Sequence, residues 1–202
     1  MRLIAFSKLP KGEQRELLDD LNYLNTAEIK SFCNRHSIPY KIAIETGDGG
    51  RRTTKDVDRK GVMLNRIRHF LKTGVVLEQT CFPAAIVCSD PLPDNITQDD
   101  RLFYGQYDKN NRKLFALLKD LTNGRFEEGA IARILAREFW SKGEAPTLSE
   151  FATAWIQAST EHTRPNPEWA FLSDRANKLE VADWKQLRVL KASKVMKLLN
   201  QI

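Results

Sequence analysis

Long apolar runs are missing from these 202 residues. None approaches the roughly 18 needed to cross a bilayer, so no membrane-spanning helix and no membrane partner is expected. The opening MRLIAFSKLPKGEQ is too short an apolar run for a signal peptide. Cysteine is scarce: Cys33, Cys81 and Cys88 stand alone, with no CxxC pair and no His-rich tract. That argues against a structural zinc site and a disulfide framework. Three reduced thiols, mostly in the core of a cytoplasmic protein, are expected. There is no HExxH, no Ser/His/Asp set and no paired-carboxylate signature. The glycines of Thr46–Gly50 lack the GxxxxGK[ST] spacing of a phosphate loop, so they read as a turn. His36 closes an apolar helix face, His69 lies on a polar one, and His162 sits beside a single arginine. No catalytic residue, metal or cofactor is expected, and there is no repeat or low-complexity tract.

What the chain has is helical periodicity. A hydrophobic content of 42% suits a packed core, and the length suits one domain or two small ones. Gly12–Leu24 places Leu17, Leu18, Leu21 and Leu24 at helical spacing, with Glu16, Asp19 and Asp20 on a face read as solvated. Asn25 with Glu28 forms a capping-box pattern ahead of Ile29, Phe32 and Cys33. Pro39 stops that helix. Lys41–Glu45 alternates like a short strand, and the charged Arg51–Asp58 reads as a mobile loop. Met63, Leu64, Ile67, Phe70 and Leu71 make the next apolar stripe, which is expected to pack on Ile29, Phe32 and Cys33. Gly74 closes that helix.

Beyond Val75 the text turns apolar and β-branched. A Pro- and Asp-containing stretch after Pro91 is the expected domain boundary. Helices are then predicted over 111–122, 127–142, 147–159 with a second capping box (Thr147, Glu150), 167–177 and 182–201. The last carries Lys185, Arg188, Lys191, Lys194 and Lys197 at every third position, a series that spirals and reads as lysines covering a docked helix. The fold class is therefore mostly α. It comprises an N-terminal module over 1–90 with a small β/loop insertion, followed by a helical domain over 91–202.

Charge is the other positive feature. The chain carries +6. Residues 50–72 hold eight basic and two acidic side chains, so that net charge is accounted for there, and the rest of the chain balances. A local excess focuses potential on one surface and favours a polyanionic partner.

LNTAEIKSFCNRHSIP resembles the first half of a SAP motif, a helix–extended–helix DNA-binding module. Leu24, Glu28, Ile29 and Lys30 occupy the early positions of its pattern, and Arg35, Ser37, Ile38 and Pro39 the later ones. Lys60, Met63, Leu64, Arg66 and Ile67 are similar to its second half. The motif allows a few residues between its Pro and its Lys, whereas Pro39 and Lys60 are twenty-one positions apart. The strand and the Arg-rich stretch are thus an insertion. The resemblance implies non-enzymatic binding of nucleic acid, DNA rather than RNA, in the cytoplasm or on a bacterial nucleoid. Independently of it, Lys and Arg beside a helix start suit phosphates. The expected contacts are Lys30, Arg35, Arg51, Arg52, Lys55, Arg59, Lys60, Arg66, Arg68 and Lys72. The alternative is a protein-interaction adaptor whose basic arm meets an acidic protein partner.

Overall fold

The computed structural model describes residues 5–108, 110–161 and 181–202. Among them are seven α-helices: α1 (Lys11–Asp20), α2 (Thr26–Arg35), α3 (Lys60–Thr73), α4 (Arg112–Leu121), α5 (Ala130–Ser141), α6 (Leu148–Glu161) and α7 (Val181–Leu199). Three strands accompany them: β1 (Lys41–Glu45), β2 (Arg51–Val57) and β3 (Cys81–Phe82), in the order β2-β1-β3. The mostly-α expectation holds. The helix predicted over 167–177 lies outside the described residues.

The chain divides into two compact units, and not at residue 90. The first takes Met1–Tyr40, Val57–Gln79 and Pro165–Ile202. The second takes Lys41–Asp56 and Thr80–Arg164. The expected linker after Pro91 is part of the second unit, because Leu92 and Ile96 pack on its core.

In the first unit, α1 stops at Asp20 and a 3-10 turn, Leu21–Tyr23, follows. Leu24 and Asn25 are extended, which Asn25 needs to cap α2. Its side chain accepts from Glu28 N at 2.8 Å while Glu28 returns a bond to Asn25 N at 2.6 Å. The stripes of α2 and α3 meet as expected: Ile29, Phe32, Cys33, Met63, Leu64 and Ile67 are buried together. Phe70 is only partly buried, edge-on to Phe32 with ring centroids 6.3 Å apart. Gly74 ends α3 at φ 73°, a left-handed conformation that suits glycine.

Helix α7 closes this core with Ala192, Val195, Leu198 and Leu199. It also corrects the reading of α1. Arg188 pairs with Glu28, Lys191 with Asp20 at 2.8 Å, and Lys194 with Glu16 at 2.5 Å. The acidic side chains of α1 are therefore partly consumed by α7 instead of being solvated. Residues spaced by three drift about 60° per step, so three of them span only about 120°, which is still one face.

In the second unit β1 is central, and Ala43 is buried as well as Ile42 and Ile44. It runs parallel to β3, with Ala43 opposite Cys81 and Ile44 opposite Phe82. Helices α4–α6 enclose a core rich in aromatic rings, including Phe82, Phe126, Phe151, Trp140 and Trp155. Trp140 Nε1 donates to the Leu102 carbonyl at 3.0 Å. The capping box at the head of α6 forms as predicted: Glu150 N donates to Thr147 Oγ1 at 3.1 Å, and Thr147 N to Glu150 Oε2 at 2.8 Å.

Candidate nucleic-acid interface

In the first unit, α2 is followed by an extended passage, and the chain crosses residues 41–56 of the second unit before α3 begins. Ser37 takes a positive φ of 54° at the end of α2, and Ile38 N bonds back to Cys33 O at 2.9 Å. Helix α3 begins at Lys60 with Arg59 at the N-cap. No side chain caps this end, and no acidic residue stands in its first turn. The helix dipole leaves positive potential at this end, beside two bases.

The expected contact residues separate into distinct environments. Arg66 is a correction. It was expected on the polar face, but it is 4% exposed and paired with Asp58 at 2.5 Å. It also donates to Pro39 O at 3.0 Å and Glu78 O at 3.1 Å. Residues 39, 58 and 78 lie next to three of the four places where the chain leaves or re-enters this unit, 40/41, 56/57 and 79/80. Arg66 ties those three segments together, so it is structural and cannot reach phosphate.

Lys60 Nζ donates to the Asn22 carbonyl, and Arg68 to Asn22 Oδ1 at 3.1 Å. Both cations are thus held against the 3-10 turn. Lys30 lies 5.8 Å over the Tyr40 ring and Arg35 5.6 Å over the Phe32 ring, and both are positioned by cation–π contact. Lys72, four residues beyond Arg68 on the same helix face, is exposed.

Arg51, Arg52 and Lys55 belong to the second unit. The mobile loop expected there is strand β2, at the sheet edge. A turn makes this possible: Gly49 takes φ 79°, Thr46 N donates to Gly50 O at 2.9 Å, and Gly50 N to Asp48 Oδ1 at 3.0 Å. Thr54 Oγ1 then donates to Ile42 O at 2.8 Å across the sheet. β-branched Thr53, Thr54 and Val57 suit a strand, a signal that the charge of the stretch masks.

The second unit also holds a cleft that sequence reading missed. Tyr104 O–H donates to Asp56 Oδ2 at 2.8 Å, a contact between residues 48 positions apart. The pair borders a hollow of about 300 Å³ also lined by Tyr107, Arg133, Arg137 and Trp140, where Arg133 is paired with Glu128 at 3.5 Å. It also borders one of about 420 Å³ lined by Arg52, Lys55, Val87 and Cys88. Gly105 borders both at φ 104°, where a Cβ would fall 2.3 Å from Cys88 O, so only glycine fits. Burial, and then the bond to Asp56, push the Tyr104 phenol above its usual range. No short motif encodes this site, because its parts come from four separate stretches.

Other titratable groups read as structural. Burial pushes Cys33 up to about 11, and it is an inert thiol. His36 lies against Phe32 and Phe70, and burial followed by the Arg35 charge holds it below the usual histidine range. Among the described residues no group of three His, Cys, Asp or Glu side chains is arranged to hold a metal ion. Among them, too, no helix is long and apolar enough to cross a membrane. Comparison of the chain with protein-family models, with curated proteins and with solved structures finds no match.

Proposed function

We propose that this chain binds nucleic acid without catalysis, gripping duplex DNA by its phosphates through the first unit. The observation that carries this reading is the partition of charge. Over Met1–Tyr40, Val57–Gln79 and Pro165–Ile202 there are 18 basic and 11 acidic residues, a net +7. The second unit, with 14 and 15, nets −1. The first unit is thus the cationic body. It contains the helix pair that resembles a SAP motif and an uncapped helix start flanked by Arg59. Phosphate contacts of this kind orient a protein on the duplex without reading sequence.

The geometry reassigns weight within the expected set. Arg59, Lys72, Arg35 and Lys30 take the phosphates. Lys60 and Arg68 shape the surface through Asn22, and Arg66 drops out. The test is a fluorescence-anisotropy titration of random duplex at two salt concentrations. Binding should weaken steeply with salt as counterions are released. Arg59→Ala should weaken binding to all duplexes alike and lower the salt slope by roughly one unit. Salt-insensitive binding, or an Arg59→Ala protein that binds as before, would move the chain to the adaptor class.

A further inference from the structure

Strand β2 lies at the edge of its sheet, with β1 as its one paired neighbour among the described residues. The outer side of an edge strand presents a row of N–H and C=O groups that another strand can pair. At seven residues β2 is also the longest of the three strands.

The cations on this edge are not engaged within the fold. Arg51, Arg52 and Lys55 are exposed, and among the described residues no hydrogen bond or ion pair holds their side chains. Each nearby acid is engaged or balanced. Asp56, the strand's own carboxylate, accepts from Tyr104 at 2.8 Å. Asp48 in the turn accepts from Thr46 Oγ1 and from Gly50 N. On β1, the charges of Lys41 and Glu45 cancel. Three cations thus stand at 51, 52 and 55 on a backbone open to pairing. A hollow of about 420 Å³ borders the same strand, lined by residues 52–56 and by Val87, Cys88 and Ser89. It leaves room for side chains of an incoming strand.

The same features disfavour two other occupants. A second copy of β2 would set cations against cations, which is how charged edges keep sheets apart. Duplex phosphates only accept hydrogen bonds, so a duplex could use the cations but not the edge carbonyls. We propose that β2 docks an acidic, extended segment of a protein partner, which adds to the sheet as its next strand. Main-chain bonds supply affinity, and the cations select the partner. Residues of adjoining strands stand opposite one another, so the spacing of the cations sets the pattern. It is Glu-Glu-x-x-Glu for a parallel partner and Glu-x-x-Glu-Glu for an antiparallel one. This reading does not depend on duplex binding by the first unit.

The experiment is a fluorescence-anisotropy titration of the full chain into two labelled peptides, Thr-Val-Glu-Glu-Thr-Val-Glu-Thr and its reversal, Thr-Glu-Val-Thr-Glu-Glu-Val-Thr. At least one should bind saturably, and preference between them reports strand direction. Its counterpart with Gln for Glu should bind roughly tenfold more weakly, because three surface ion pairs are lost. A counterpart N-methylated along its backbone should also lose at least about tenfold, because main-chain pairing is blocked. These two controls use the parent protein. The combined variant Arg51→Gln, Arg52→Gln, Lys55→Gln should weaken peptide binding by a similar factor, and Arg59→Ala should leave it unchanged. The inference is overturned if neither peptide binds saturably, or if the triple variant binds as tightly as the parent. It is equally overturned if the N-methylated peptide binds as tightly as the plain one, since charge alone would then be the attraction. If random duplex displaces the peptide and the triple variant loses duplex binding, the edge belongs to nucleic acid and the inference falls.

Discussion

Arg66 shows how one residue's meaning changes with burial. At the surface an arginine on α3 would add phosphate affinity. Buried, it neutralises Asp58 and donates to two backbone carbonyls. Removing it strands a buried carboxylate, so Arg66→Ala should cost about 3–5 kcal/mol. Urea denaturation of the two proteins measures this, and a loss below about 1 kcal/mol would refute the clamp. His36 makes a second prediction. Its folded pKa lies below the unfolded value because burial disfavours the cation. The unfolded chain therefore binds the proton more readily, and stability falls as pH drops below the ordinary value near 6.5 toward the lower folded one. Above that value the neutral ring's contribution is complete. His36→Leu should flatten the dependence of the melting temperature between pH 7.5 and 5.5, and an unchanged slope would assign it to other groups.

Elements here are stabilised at their ends as much as along their faces. Asn25→Ala should cost about 1 kcal/mol, the usual value of a lost N-cap. Glu28 does two jobs, since it completes that cap and pairs with Arg188 of α7. Glu28→Ala should therefore cost at least as much as Asn25→Ala. Arg188→Ala should cost less in the Glu28→Ala background, where the bond from Arg188 Nε to Tyr23 O at 3.0 Å is all that remains to lose, than in the parent. A thermal-melt double-mutant cycle reads this coupling. Phe70 tests the α2–α3 seam. A fully buried phenylalanine costs about 3–5 kcal/mol on truncation. Because Phe70 is partly exposed, Phe70→Ala should fall below that range in chemical denaturation, while Phe32→Ala should fall within it. Strand β2 makes the converse point. Its charges suggested a solvated arm, yet the turn at Thr46–Gly50 and pairing with β1 give its backbone hydrogen bonds a partner, which a charged stretch needs as much as an apolar one.

For the molecule as a whole, charge is unevenly assigned, at +7 in one unit and −1 in the other. If the cationic unit holds the duplex, combined replacement of Arg51, Arg52 and Lys55 by alanine should change the salt slope less than combined replacement of Arg35, Arg59 and Lys72. Parallel titrations of the two triple variants decide this, and the opposite ranking would place the phosphates on β2. Folding carries a related cost. Each unit is assembled from segments separated by the other in sequence, so many of its contacts close long loops.

The sequence by itself determined what depends on neighbours a few residues apart. The helical stripes of α2 and α3, both capping boxes, the glycine at the end of α3 and the turn at Thr46–Gly50 are local periodicity and local hydrogen bonding, and each is legible at a spacing of three or four. The local excess of charge was legible too, as a sum. Only the tertiary structure decided which charges are spent internally. It paired α7 with Glu16, Asp20 and Glu28, buried Arg66 against Asp58, and set Tyr104 beside Asp56. Five contacts join residues that periodicity does not relate, at separations from 8 to 178 positions. Such pairs form where burial makes an unpaired charge or hydroxyl costly, and that cost exists only once the chain has closed around them.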